Sequence, residues 1–319
     1  MKKFDKIMVV MEVFKYTLDN KRYHTLNYYF KNRYGKKTFK VSLNGNFSCP
    51  NKVNGKGCIF CSRLGSGDFA GNKEKDLITQ FNEVKKIMEQ KWPDSYYIGY
   101  FQANTNTFAP VNELKEKYET ILSLENVVGL NIATRSDAIS QECYEYLSEL
   151  NKKTNLIVEL GLQSIHEKTL KFINRGHDLE NFEKAVKELQ KRNIETIVHI
   201  INGLPGETKE DMLETVKYLN NLNIDGIKIH MLHIIEDTNL ADYYKEHPFH
   251  ILTKEEYIDI VISQLELLNP EIVIHRITGD PKKEDLIEPS WLLKKFCVLN
   301  DIDKEMVKRN TYQGAKIKE

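Results

Sequence analysis

Three of the chain's five cysteines, Cys49, Cys58 and Cys61, fall within thirteen residues of the stretch "SCPNKVNGKGCIFC". An odd total and such close spacing do not suit a disulfide framework, and reduced thiolates gathered on a metal are the better reading. The pattern is Cys-x8-Cys-x2-Cys with Phe60 inside the short pair. Structural zinc closes its shell with four ligands, so a zinc site would have to recruit Cys143, Cys297 or a histidine. A [4Fe-4S] cluster held by three thiolates instead leaves one iron open to a ligand that is not protein. Such an iron can chelate the amino and carboxylate groups of S-adenosylmethionine and reduce its sulfonium, releasing a radical able to take hydrogen from an unactivated carbon. Spacing alone leaves both chemistries open.

The elements that position these thiols are readable from period and punctuation. "KTFKVSLNG" predicts a strand that ends at the cysteine loop, and helical and strand patterns then alternate. Helices are expected near Lys73–Lys91, Asn112–Leu124, Gln141–Leu150, Leu179–Arg192, Thr208–Leu222 and Lys254–Leu268. Strands are expected in "SYYIGYF", "VVGLNIATR", "NLIVELGLQ", "ETIVHIINGLPG" and "DGIKIHMLHI". Six strand-then-helix units imply a parallel sheet, because parallel neighbours need helical crossovers. A partial (β/α)6 TIM-like barrel and an open doubly wound sheet both fit, and both gather function at the C-terminal strand ends. The chemically unusual residues fall there: Cys49, Gln102, Thr134, Arg135, Asp137, Glu159, Gln163 and the "NGLPGE" turn. Residues 1–37 form a basic, aromatic N-terminal segment, 38–270 the barrel, and 271–319 an extension of one more strand and helix over one end of the sheet.

The ordered set "SCPNKVNGKGCIFC", "ATRSD", "VELGLQS", "NRGH" and "HIINGLPGE" resembles the radical S-adenosylmethionine superfamily. Within it, the likeness is to the branch holding the catalytic subunit of Elongator and a smaller bacterial family, whose tails "HRITGD" and "RNTYQG" resemble. The resemblance covers about Tyr23 to Leu268. It implies a [4Fe-4S] cluster on Cys49, Cys58 and Cys61, S-adenosylmethionine as cofactor, and cofactor contacts from Gln102, Thr134, Arg135, Asp137, Glu159, Gln163, Arg175, Gly203 and Pro205. One departure is the second strand's ending, "YFQANTNT", where many members carry Gly-Gly-Glu for the cofactor's amino group. Another is that no acetyltransferase domain follows.

Each residue has a plainer alternative. Glu159 interrupts an apolar strand; a buried carboxylate needs a partner, which can be a ribose hydroxyl, an ammonium, or a structural ion pair with Arg135 or Arg175. Arg135 can fork onto the cofactor carboxylate, with Asp137 orienting it or capping a helix. Ser164 beside Gln163 can cap a helix instead of touching ligand. Gly55 and Gly57 admit backbone amides to the sulfurs, or simply make turns. "GLPGE" can wrap an adenine or be an ordinary strand-to-helix turn. Lys228 and His230 alternate along one strand face and, with Glu159, are candidate catalytic groups if that face is the barrel interior. His199 is a weaker candidate, since lone histidines on apolar strands usually serve the core.

Lysine plus arginine and aspartate plus glutamate balance at 46 each, so bulk charge makes no case for nucleic acid. From Phe14 to Lys40, however, there are eight Lys/Arg, eight Phe/Tyr and one acid. That mixture suits a phosphate backbone with stacked bases, or equally an amphipathic segment packing its rings on the domain. No apolar run of membrane-spanning length and no cleavable leader are visible, so a soluble, cytoplasmic protein is expected. A nicotinamide dehydrogenase is disfavoured, because no G-x-G-x-x-G follows the first strand. The Elongator-like resemblance implies a tRNA wobble uridine as substrate, its carboxymethylaminomethyl side chain being trimmed to aminomethyl. It implies a reductant such as flavodoxin or ferredoxin, and allows a downstream methyltransferase to finish the product. The competing readings are a radical enzyme for a small metabolite or another macromolecule, and a zinc-stabilised RNA-binding protein.

Overall fold

The computed structural model describes residues 14, 16–17, 20–62, 65 and 70–317. Seven parallel strands form one sheet: β1 (Thr38–Leu43), β2 (Tyr96–Phe101), β3 (Val127–Thr134), β4 (Asn155–Gln163), β5 (Glu195–Asn202), β6 (Gly226–Met231) and, after a two-residue β7 (Ile234–Ile235), β8 (Val273–Arg276). Strands β1 to β6 lie side by side in chain order, with β8 next to β6. This is the expected partial barrel, its extra strand hydrogen-bonded into the same sheet. The sheet curls far enough for Lys40 on β1 to meet His275 on β8, Nζ to Nδ1 at 3.0 Å, across the full width of the strand order.

Alternation along the strands decides what each face carries. Val41, Leu43, Phe101, Leu130, Ile132, Val158, Leu160 and Val198 face the helices and form the main core. Each such side chain contributes roughly 1.5–3 kcal/mol by leaving water. The opposite parity, Lys40, Tyr100, Asn131, Glu159, His199 and Lys228, turns polar groups into the concave side.

Helix starts follow the local sequence. Asp76, Ser140, Asp178, Thr208 and Thr253 each accept a backbone N–H in the first turn, and Thr208 and Thr253 complete capping boxes with Asp211 and Glu256. Such caps stabilise by about 1 kcal/mol each. Asn126, Asn193 and Asn223 take left-handed backbone angles where the chain turns from helix to the next strand. Asparagine tolerates that region better than other side chains that carry a Cβ.

Four elements escape the sequence reading: helices Leu26–Tyr34, Glu167–Phe172 and Asn239–Glu246, and an antiparallel ribbon of β7 with β9 (Leu286–Glu288). The first of these bears on a segment with two open readings. Helix Leu26–Tyr34 packs beside β1 and β8, and its rings are spent on the protein. Tyr29 donates to Glu195 at 2.7 Å, and Tyr34 accepts from Asn155 at 2.5 Å. Those acceptor and donor residues begin β5 and β4, so the helix closes the N-terminal end of the barrel, opposite the cysteine loop. Of the two readings of this segment, Tyr29 and Tyr34 follow the packing one, their hydroxyls satisfying the strand starts. Residues 1–13, 15, 18 and 19 of the N-terminal segment lie outside the described residues.

The tail motifs also find places. Gln313 of "RNTYQG" accepts the His24 N–H at 2.8 Å and donates to the carbonyls of Asn269 and Ile272, tying the chain's two ends together. Helix Lys295–Lys308 buries Val298, Ile302 and Met306 against helix Lys254–Leu267. No helix among the described residues is long and apolar enough to cross a membrane.

Candidate active site

One cavity opens at the C-terminal ends of the strands and is lined by Cys49, Cys58 and Cys61 together with Gln102, Thr134, Arg135, Glu159, Gln163, Arg175, Lys228 and His230. The sequence reading therefore brought eleven of its expected residues to one wall. His199 joins them, and Arg276 at the end of β8 and Asp280 just beyond it, both of "HRITGD", complete it. Asp137, Gly203 and Pro205 do not line it. Asp137 sits behind Arg135, while the Gly203 N–H donates to the Met212 sulfur and a Cβ there would meet Leu252, on the helix side of the sheet.

The cysteine loop is built for its turns. Cys49 caps a single helical turn, Pro50–Val53, whose first residue is proline, and its carbonyl accepts from Lys52 and Val53. Gly57 is left-handed at φ +73°, as only glycine does freely, and the Cys61 N–H closes onto the Cys58 carbonyl at 3.1 Å. Asn51 pins the loop to "NRGH": its amide donates to the Asn174 carbonyl at 2.8 Å and approaches Cys58 Sγ at 3.5 Å. Gly176 of that motif is needed, because a Cβ there would stand 2.6 Å from Asn51 Oδ1.

The three sulfurs bring three ligands to one cavity, where a structural zinc takes four. Cys143 is buried in the core on helix Gln141–Asn151, its thiol pushed up to about 12 by burial, and Cys297 is exposed on the last helix. Neither lines the cavity, so no fourth thiol is supplied there. Three thiols on one cavity fit a cluster of several irons that leaves one iron open.

Arginines offset the thiols. Arg135 forks onto Asp137 with bonds of 2.9 and 2.8 Å and sends its remaining amine to the Arg175 carbonyl. Burial lowers its pKa, but Asp137, aided by Cys58 and Cys49, more than offsets that and raises it. Its fork is thus occupied by Asp137 rather than turned to the cavity. Arg175 is buried and lowered by desolvation, which its attraction to Cys58 opposes. It donates to the Gly161 carbonyl at 2.5 Å, and its Nε is solvent-free and unpaired. Gln163 holds φ +69°, outside the usual range for its type, with its Oε1 also buried and unpaired. Unsatisfied donors and acceptors aimed at one space are what a polar cofactor completes. Ser164 is engaged, accepting from the His166 N–H and donating to Glu207 of "GLPGE".

Deeper in the barrel lies the carboxylate of Glu159, at 1 % exposure. The arginine partners weighed for it are elsewhere, and its ammonium partners come from within the chain. Lys40 and Asn131 donate to Oε1 at 2.9 and 2.8 Å, and Lys228 and His199 to Oε2 at 2.5 and 2.9 Å. Burial works to raise its pKa, but Lys228 and Lys40 hold it well below the usual range. Four donors take up the carboxylate's four acceptor positions, leaving no lone pair for a ribose. Glu159 is therefore a positioning residue that aligns Lys228 and His199. Burial lowers Lys228 to about 7 and His199 to about 4, and Lys228 also donates to Tyr100 at 2.9 Å. Lys40, His275 and Arg276 were not singled out from sequence. The alternation of "TFKVSL" is the one signal that could have marked Lys40 as inward.

Residues 48–219 match the Radical SAM superfamily, and residues 224–308 match the Radical_SAM C-terminal domain. The chain is 48% identical over 304 residues to the Bacillus subtilis protein YtqA, covering 94% of each. It is 29% identical over 156 residues to a tRNA uridine(34) acetyltransferase of Methanocaldococcus infernus, spanning 48% of this chain and 29% of that one. The solved structure of the archaeal Methanocaldococcus infernus Elp3 superposes with a TM-score of 0.68 at 19% identity, over 87% of this chain and 64% of that one.

Proposed function

The chain belongs to the radical SAM superfamily and is an enzyme using a [4Fe-4S] cluster and S-adenosylmethionine, and from that premise we propose that it modifies the wobble uridine of tRNA, trimming a carboxymethylaminomethyl side chain to aminomethyl. The observation that carries the reading is the single cavity that joins the three cysteines at its rim to a buried, hydrogen-bonded cationic interior. The partial similarity to a tRNA uridine(34) acetyltransferase, over 29% of that protein, supports an RNA substrate.

When bound, the cluster and S-adenosylmethionine supply a 5'-deoxyadenosyl radical that abstracts hydrogen. The protein's share is placement. Cys49, Cys58 and Cys61 ligate the cluster, and Arg175 offsets thiolate charge. Gln102, Thr134 and Gln163 offer polar contacts to the cofactor. Glu159 fixes Lys228 toward the interior, where the substrate side chain enters. A reductant of the flavodoxin or ferredoxin kind delivers the electron, and a methyltransferase is the class of enzyme that would elaborate an aminomethyl product.

Anaerobic reconstitution with iron and sulfide, followed by S-adenosylmethionine, dithionite and bulk tRNA, tests this reading. Formation of 5'-deoxyadenosine that rises with tRNA supports it. Formation indifferent to tRNA sinks the RNA substrate and leaves a radical enzyme for another molecule.

A further inference from the structure

The motif "HRITGD" contributes to the cavity in a way the cofactor does not explain. Arg276 on β8 is the register partner of Lys228 on β6, and both line the cavity. Around them Lys40, Lys228 and Arg276 bring three positive charges, against two negative ones from Glu159 and Asp280. Lys295, at the solvent edge, also reaches Asp280, at 2.6 Å. With Lys228 protonated the wall thus carries a surplus of one cation. The histidines add none, since burial holds His230 and His275 well below their ordinary value and neutral.

Hydrogen bonding is also incomplete there. The His230 Nε2 is shielded from solvent and has no partner. Lys228 directs N–H groups to Tyr100 and Glu159, and an ammonium has three. The buried Lys228 ammonium and the unpaired His230 nitrogen, with the half-exposed Arg276 guanidinium beside them, are a donor set that an anion completes.

We propose that Lys228, His230 and Arg276 form a receptor for a carboxylate carried by the substrate. The planar guanidinium suits two carboxylate oxygens, and the ammonium and the imidazole N–H supply further donors. A small surplus of charge matches a monoanion better than a phosphate dianion. For an RNA substrate the inference rests on the reading above; the receptor itself rests on the cavity wall alone.

Two measurements test it independently. In the first, the full-length protein is titrated into [1-13C]acetate and the carboxyl resonance is followed. Saturable broadening is expected with wild type and with Arg276→Lys, and binding weaker by about tenfold or more with Arg276→Gln. Equal binding by Arg276→Gln, no binding by wild type, or stronger displacement by inorganic phosphate than by unlabelled acetate each overturns the assignment. Thermal melting of the variants confirms that a lost signal is not lost folding, and Arg276→Lys keeps the test informative if Arg276→Gln unfolds.

The second separates substrate from cofactor, whose own carboxylate is the rival occupant. Equilibrium dialysis of S-adenosylmethionine against reconstituted protein is expected to give the same affinity for wild type and Arg276→Gln; a loss of about tenfold assigns the receptor to the cofactor and overturns the proposal. With tRNA bearing the free carboxymethylaminomethyl group and the same tRNA as its methyl ester, wild type should prefer the acid by about tenfold and Arg276→Gln by less than about threefold. Equal preference in the two proteins overturns the receptor. Indifference of wild type to both RNAs sinks the RNA reading, while the acetate titration still decides the receptor.

Discussion

Lys40 and His275 stand on the first and last strands of the sheet, yet the lysine Nζ lies 3.0 Å from the imidazole Nδ1. The same lysine also bonds Glu159 on the middle strand. The curl of the sheet thus gathers polar groups from β1, β4 and β8, with β3, β5 and β6 contributing Asn131, His199 and Lys228, around one carboxylate. The predictions below follow from that convergence and from the loop above it.

The proposed ligand set is the three cavity cysteines, without Cys143 and Cys297. Cys58→Ala should lose visible iron–sulfur absorbance and most of its bound iron on anaerobic reconstitution. Cys143→Ser and Cys297→Ser should keep the wild-type iron content. Iron retained by Cys58→Ala, or lost from Cys297→Ser, would contradict the ligand set.

Glu159→Gln should be strongly destabilising. It removes the one negative charge between two buried ammonium groups, and breaking a buried ion pair from one side costs about 3–5 kcal/mol. Urea unfolding measures this, and replacing Lys228 by methionine in the same chain should recover part of the loss. A midpoint within error of wild type would mean that the carboxylate does not hold the barrel interior together.

Stability should fall as pH drops below about 6.5. Burial, then Lys228, lowers His199 to about 4; burial, then Arg175, lowers His177 to about 3. The unfolded chain therefore takes up protons that the folded chain refuses, so the histidines' contribution is full above 6.5 and declines toward 4. Glu159 acts in the same direction, because its depressed value gives stability that is lost as the carboxylate protonates. Each histidine is worth on the order of 3 kcal/mol across the window. Urea titrations at pH 7, 6 and 5 check the slope, and His199→Gln should flatten it.

Gly176→Ala should loosen the cysteine loop without touching a cysteine. The residue sits at φ +81°, and the new Cβ would stand 2.6 Å from Asn51 Oδ1, the side chain that ties the loop to Asn174. A cost of about 1–3 kcal/mol and a faster loss of iron to a chelator are expected. Wild-type iron retention would show that the Asn51 link does not hold the loop.

The sequence by itself determined the order of strands and helices and marked the cysteine cluster at a strand end, because these are properties of short range. Period two or 3.6 is written over a dozen residues, and Cys-x8-Cys-x2-Cys is a local chelate. It also marked Glu159 as anomalous, since a carboxylate in "NLIVELGLQ" must find a partner. What it did not determine was the partner. Lys40 is 119 positions away, His199 is 40 and Lys228 is 69, and only the curl of seven strands brings them within hydrogen-bond reach. The helix Leu26–Tyr34 shows the converse. Its composition suited nucleic acid and protein packing equally, and the decision lay in Glu195 and Asn155, which begin strands far along the chain and take up its tyrosines. Local pattern fixes which face a residue presents, whereas the sharing of buried charge depends on which distant faces the closed sheet brings together.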